Sequence, residues 1–304
     1  MPALNMDFNM NMDFNMNMAR SGASVGGDLP RIRANTEDYR KYVVPGEAII
    51  PANPGVMQFP SYWDPELRAY EYLNDFLTVQ FANWRAKLTA DVGTPNGPPN
   101  LTPSHQLGAA LTNDVIYVLD SAPDRQDRFA EIIGQNSGDG AIGYFLGMLM
   151  IDPARMPATN LLIRVARRLG EHIAMCLKGE FMCPRPSQLC PAIVPMIDPP
   201  ATPAFPSGHS LQAWLIARCL EATNPPMRPL HLVRDLANRI GENRIIAGLH
   251  YQQDHVIGQA VGDWIFMRLL TPLGAATPFK KLLAKATNEM ANQWVVPLTP
   301  FPLP

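Results

Sequence analysis

From Trp63 onward this chain of 304 residues sets apolar side chains at three- and four-residue spacing over long stretches, and prolines cut those stretches into helix-sized lengths. The pattern predicts a mainly helical fold. Over residues 65–88, Leu67, Tyr70, Leu73, Phe76 and Leu77 fall on one helical face, and the polar run before Pro103 signals a helix start that runs to residue 119. Further helices are expected at 123–135, 138–150, 158–177, 207–223, 228–249, 250–270 and 277–291. The 31 prolines are densest over 184–206, where no regular element is expected to persist. Strand signals are scarce, because the apolar run at 191–197 is bounded and interrupted by proline. The expected architecture is a single-domain, all-α multi-helix bundle over residues 31–304.

Residues 6–11 read MDFNMN and residues 12–17 repeat it, so residues 1–30 are expected to form a disordered low-complexity tail. A hydrophobic content of 47% is enough to build a sizeable core. With 25 basic and 27 acidic residues the chain has no general field to draw it onto nucleic acid or an anionic membrane, so any anion site must be local. The longest apolar stretch, 141–151, falls short of the roughly 20 residues that a bilayer span needs. Asp7 and Asp13 break any apolar leader, and no basic segment precedes one, so no export signal is expected. The four cysteines form no CxxC pair and read as reduced, packed thiols, although Cys183 and Cys190 are spaced so that a bridge stays open. Together these features lead to the expectation of a cytoplasmic protein.

Three segments suit one chemical task. In KGEFMCPRP, Lys178 supplies a point charge and Arg185 a planar fork able to bond two oxygens at once. In FPSGHS, Ser207 can cap a helix whose N-terminus, opened by Gly208, offers backbone N–H groups to an anion, and His209 sits within reach as a general acid. In NRIIAGLHYQQD, Arg244 precedes His250 and Asp254. Their i, i+4 spacing lets the carboxylate fix one imidazole nitrogen and leave the other as nucleophile or ligand. His255 is rotated about 100° away on such a helix and reads as a bystander. Each segment alone has an ordinary structural reading: solvated surface cations, a Ser N-cap with a buried histidine, a structural His–Asp pair. Among the nearby aromatics Phe205 is the pocket candidate, while Trp214 reads as core. His105 and His172 are given no role beyond packing or surface.

In order and spacing the three segments resemble the signature of the superfamily that joins type-2 phosphatidic acid phosphatases, bacterial acid phosphatases and vanadium-dependent haloperoxidases. The strict resemblance covers residues 178–254, within a motif core at 170–272. Asn243 stands where the family commonly has Ser, which implies tuning of the site rather than its loss. For this chain the resemblance implies an anion site at helix ends in the bundle core. Lys178, Arg185, Ser207, Gly208 and Arg244 would hold the oxyanion, His250 oriented by Asp254 would be the nucleophile, and His209 the proton donor.

The favoured activity is hydrolysis of a small-molecule phosphate ester or diphosphate through phosphohistidine, with no cofactor. Alternatives on the same scaffold are a haloperoxidase, with vanadate held by His250 and with peroxide, halide and an organic acceptor as reactants, and a lyase or cyclase that ionises a diphosphate. No membrane span and no nucleic-acid partner are implied, and a homodimer is left open.

Overall fold

The computed structural model describes residues 63–106, 108–136, 138–223 and 231–292. The expected tail at 1–30 lies outside the described residues. Among those residues the chain is helical and contains no strand. The helices are α1 (Pro65–Asp75), α2 (Trp84–Asp91), α3 (Ala109–Asp120), α4 (Phe129–Gly134), α5 (Gly138–Met148), α6 (Pro157–Phe181), α7 (Pro186–Leu189), α8 (Gly208–Ala222), α9 (His231–Ile246), α10 (Gln252–Trp264) and α11 (Pro278–Asn292).

Several expected helices are shorter or divided. The 65–88 stretch passes through a π-helical turn, Phe76–Gln80, before restarting at α2. The 250–270 stretch likewise ends in π-helical turns at Ile265–Leu270. The expected start near residue 100 gives only an Asx turn, Thr102 N–H to Asn100 Oδ1, and a short 3-10 turn at Ser104–Gln106. Regular helix begins past Gly108, whose φ of 54° no helix can continue. The proline-dense 184–206 segment does contain a regular element, α7. Pro186 opens it at the first helical position, where a missing N–H costs nothing.

The central element is α6, whose 25 residues bury Leu161, Leu162, Val165, Ala166, Leu169, Ile173, Ala174 and Leu177 along one broad stripe. Its N-terminus is capped from another helix. Glu289 of α11 accepts from the Ala158 and Thr159 amides at 2.9 and 2.7 Å and from the Thr159 hydroxyl at 2.9 Å. Helix α8 packs against α6, α9 and α10, while α1 and α11 cover α6. The α8–α10 crossing depends on glycine: a Cβ on Gly258 would fall 2.8 Å from the Ser207 carbonyl oxygen, and one on Gly262 2.9 Å from that of Leu211.

Helix α1 is fastened to α6 by Glu66, whose carboxylate receives Arg164, Arg167 at 2.8 Å and Arg168 at 2.9 Å. Burial alone would raise this carboxyl's pKa, but the guanidiniums outweigh it and hold it below the usual range. The carboxylate is therefore the common counter-ion of a buried cluster. Glu66→Gln should lower stability by about 3 kcal/mol, the order found when one partner leaves a buried ion pair. Denaturant unfolding followed by far-UV circular dichroism checks it, and an unchanged midpoint would show the cluster to be dispensable.

Candidate active site

The candidate residues meet where the C-terminal end of α6, the N-terminus of α8, the C-terminus of α9 and the start of α10 converge. Lys178 lies in the last turn of α6, which closes at Met182 in a left-handed conformation with φ 47°. Its ammonium donates to the carbonyls of Pro203 and Ala204, at 2.5 and 2.9 Å. Arg185 follows in the connection to α7. It donates through Nε to the Thr202 carbonyl at 3.0 Å, through Nη2 to Thr202 Oγ1 at 3.2 Å, and through Nη1 to the Leu249 carbonyl and His250 Nε2, both at 2.9 Å.

Helix α8 is capped by Ser207, whose hydroxyl oxygen accepts from the Ser210 amide. Gly208 opens it beside Lys178: a Cβ there would stand 3.9 Å from Lys178 Cε, in the space at the helix terminus that a side chain would otherwise occupy. His209 comes next and donates through Nε2 to the Gln135 carbonyl at 3.0 Å.

The spacing from Arg244 to His250 has a local cause. Gly248, with φ 80°, ends α9 in a Schellman turn: the Leu249 amide bonds the Arg244 carbonyl at 3.0 Å and the Gly248 amide that of Ile245 at 2.8 Å. The turn reverses the chain and returns His250 to the same end of α9 from which Arg244 projects. The sequence carried this signal in the Gly after an amphipathic run, although a helix through residue 249 was expected.

His250 stands two residues before α10, yet the i, i+4 relation holds. Its Nδ1–H donates to Asp254 Oδ2 at 3.0 Å, and the same oxygen accepts the Tyr251 amide at 3.1 Å. Nδ1 therefore carries the proton, and Nε2 is a bare lone pair facing Arg185.

Lys178 and Arg185 are each only 4% exposed, and Arg244 and Ser207 are not exposed at all. Arg244 Nη2 donates to the Ile132 carbonyl at 2.8 Å, while its Nε and Nη1 have no hydrogen-bond partner among the described residues. Burying part of a guanidinium unpaired is costly, and the open N–H edge is able to donate to an anion.

The electrostatics agree. Burial, and then Arg185, pull the Lys178 ammonium down to about 7. Burial, then Arg244, hold the His209 imidazole near 3, and burial with Arg185 keeps His250 well below its ordinary value. Burial pushes the Asp254 carboxyl up, against the Tyr251 amide and the two nearest cations, which lower it.

Sequence reasoning missed the contribution of α4. Its C-terminal turn has carbonyls with no helical partner, and two of them hold site residues: Ile132 for Arg244 and Gln135 for His209. Asn243 keeps that turn in place, donating from Nδ2 to Gln135 Oε1 at 2.8 Å and to Glu131 Oε2 at 3.0 Å. Two expectations need correction. Phe205 does not line an open pocket: the Pro203 and Ala204 carbonyls turn to Lys178, and the next side chain is wholly buried, edge-on to Phe181 at 5.2 Å. His255 is no bystander, since it bonds Ser210 Oγ at 2.9 Å and Asn238 Oδ1 at 3.1 Å.

Trp214 packs against the core as expected. The four cysteines are free thiols, with Cys183 and Cys219 buried, Cys190 partly so and Cys176 exposed. His105 touches Cys183 Sγ at 3.1 Å.

No family model matches the chain. Two curated proteins match over 93 residues: the non-specific acid phosphatases of Salmonella typhi, 33% identical, and of Salmonella typhimurium, 34% identical. Each match covers 30% of this chain and 34% of the relative, so the chain matches about a third of the relatives' length. A solved transmembrane PAP2-type phosphatidylglycerolphosphate phosphatase from Bacillus subtilis aligns with a TM-score of 0.42 and 19% identity, over 53% of this chain and 85% of that one.

The three signature segments are brought together in one buried cluster of cations and histidines. Over the matched 93 residues the chain is similar to those acid phosphatases. Among the described residues no helix is long and apolar enough to cross a membrane.

Burial holds the Lys178 pKa near 7, and an anion would bind the charged form. The sign is therefore fixed: affinity for sulfate, whose own charge is constant, should weaken as pH rises through about 7, tending toward tenfold per unit above it. Calorimetric titration across that range checks it. Lys178→Met should bind more weakly and with a flat profile, and an equally steep profile in that variant would assign the titration to another group.

Proposed function

We propose that this chain hydrolyses a small-molecule phosphate ester or diphosphate through a phosphohistidine on His250. The observation that carries this reading is the bare Nε2 of His250, fixed by Asp254 on its other side and set among three buried cations, one of which has an unpaired N–H edge. The acid phosphatase relatives support the reaction class.

In this scheme the phosphoryl oxygens are held by Lys178, Arg185, Arg244, the Ser207 hydroxyl and the amides at the start of α8. These donors stabilise the charge that builds on the oxygens in the transition state. Arg185 Nη1 leaves His250 for a phosphoryl oxygen, which exposes the lone pair. Nε2 then forms a bond to phosphorus as the bond to the leaving oxygen breaks.

His209 supplies the proton to that oxygen. Its Nε2–H is committed to the Gln135 carbonyl, so Nδ1 is the nitrogen that gains and gives the catalytic proton. Burial and Arg244 favour the neutral ring. A bound phosphoryl anion offsets the cations and raises the ring's pKa, charging the acid when substrate is present. In the second half His209 takes a proton from water, the resulting hydroxide attacks phosphorus, the P–N bond breaks, and inorganic phosphate leaves.

Vanadate fits the same donors, with His250 Nε2 as the ligand nitrogen, and would there supply peroxide activation for halide oxidation. One preparation separates the two readings. Metal-free protein should release phosphate from members of a broad ester panel, and His250→Ala should reduce kcat by about 10³-fold or more. Failure of every ester, or indifference to His250→Ala, would remove the proposal. Bromide- and peroxide-dependent bromination of a phenol dye only after orthovanadate is added would replace it.

His209→Ala gives a separate test of the acid. Rates should fall about 10²- to 10⁴-fold with an alkyl phosphate, whose leaving group needs a proton, and much less with a nitrophenyl phosphate, whose leaving group does not. Equal losses on both substrates would argue against His209 as the donor.

A further inference from the structure

Behind Ser207 a chain of side chains runs inward to a group with no part in the scheme above. Ser207 Oγ lies 2.9 Å from Ser210 Oγ, Ser210 Oγ lies 2.9 Å from His255 Nδ1, and His255 Nε2 lies 3.1 Å from Asn238 Oδ1. Ser207 and Ser210 are fully buried and His255 is 6% exposed, so bulk water does not complete these contacts. The α9 backbone makes room for the ring: a Cβ on Gly241 would fall 2.2 Å from His255 Nδ1.

The hydrogens can be placed by elimination. Asn238 Nδ2 donates to Glu242 Oε1 at 2.7 Å, and a carboxylate only accepts, so the Asn238 oxygen is the atom facing His255. That oxygen also accepts from Gln259 Nε2 at 2.9 Å. His255 Nε2 must therefore carry hydrogen. In the neutral ring Nδ1 is bare and requires the single Ser210 hydroxyl proton. The 2.9 Å contact between the two serines can then be bonded only by the Ser207 proton, which points inward and away from the anion site.

With Nδ1 protonated the whole chain reverses. Nδ1–H donates to Ser210, Ser210 donates to Ser207, and the Ser207 proton is free to point at an oxyanion. We propose that His255 is a positioning residue which, acting through Ser210, sets the direction in which Ser207 donates, so that binding of an oxyanion draws a proton onto His255. The inference rests on the reading of Ser207 as a holder of phosphoryl oxygens.

The groups facing the ring are Ser210 from α8, Asn238, Gly241 and, through Asn238, Glu242 from α9, and Gln259 from its own helix. Its neighbour Asp254 is turned to His250. Burial lowers the His255 pKa to about 4, so a proton has to be taken up when an anion arrives.

The test is nitrogen NMR of the histidine rings in the full chain at mildly acidic pH, with and without saturating inorganic phosphate. The expected result is a bare Nδ1 on His255 without phosphate and a protonated Nδ1 with it, while Nε2 stays protonated throughout. Ser210→Ala deletes one hydroxyl and keeps the backbone cap on Ser207. It should abolish the change and weaken phosphate binding about tenfold, with less dependence on pH.

A His255 ring that stays neutral when the wild type has bound phosphate overturns the inference and leaves the functional reading standing. So does a Ser210→Ala protein in which the change persists. A wild type that binds no phosphate overturns both. The wild-type ring measurement needs no variant, so a poorly folding substitution does not block the test.

Discussion

Three cations are buried around one imidazole, and the surrounding architecture follows from what that burial requires. Taking an ion out of water costs several kcal/mol even after a protein relaxes around it. Lys178, Arg185 and Arg244 therefore need acceptors supplied by the chain, and the carboxylate nearest to them, Asp254, is engaged with His250. The acceptors are backbone carbonyls: Pro203, Ala204, Thr202, Leu249 and Ile132. Carbonyls within a helix are already spent on its own hydrogen bonds, so unspent ones occur in loops and at helix C-termini. A site of this kind must form where helix ends and their connections meet. That is why the last turn of α4, the Schellman turn after α9 and the 202–204 segment all point to one place.

The same logic explains the close approach of the helices that carry the motifs. Ser207, at the head of α8, also donates its amide to the Asp254 carbonyl at 3.0 Å, joining the start of α8 to the first turn of α10. This contact requires the two backbones to be nearly touching, and Gly258 and Gly262 permit it by presenting no Cβ at the crossing. Ser207 and the His250–Asp254 pair are thus fixed to each other by backbone rather than by flexible side chains. For the proposed chemistry, such an arrangement would hold the backbone donors and the imidazole in register.

Much of the site was legible in the sequence because its residues have narrow chemical uses at fixed spacing. Arg244, His250 and Asp254 lie on one helix end and its exit, so local geometry sets their relation. Ser207 to His209 announce a capped helix in the same way. The helical class followed from apolar spacing, and its errors came at breaks: prolines and Gly108 shortened elements that periodicity alone would extend. The unread parts depend on distant pairing. Gln135 reaches His209 across 74 positions and Asn243 across 108, and a short amphipathic helix such as α4 gives no sign that its final carbonyls, not its apolar face, are what matter. His255 was dismissed by its angle around α10, which was measured from His250. Its partners lie on α8 and α9.

Each cation except Arg244 has most of its donors engaged by neutral oxygens, and Arg185 also caps the lone pair of His250. An arriving oxyanion exchanges neutral acceptors for charged ones, and hydrogen bonds to an ionised acceptor are about twice as strong as neutral ones. The gain is largest at Arg244, which gives up nothing. It is smallest at Arg185, which must release His250 to reach the anion, and in the proposed scheme that release would make the nucleophile available. Binding and activation would then be one event. A ligand lacking the charge to draw Arg185 away would leave His250 capped, so under the proposed reading the pairing of a guanidinium with an imidazole would confine reactivity to oxyanions.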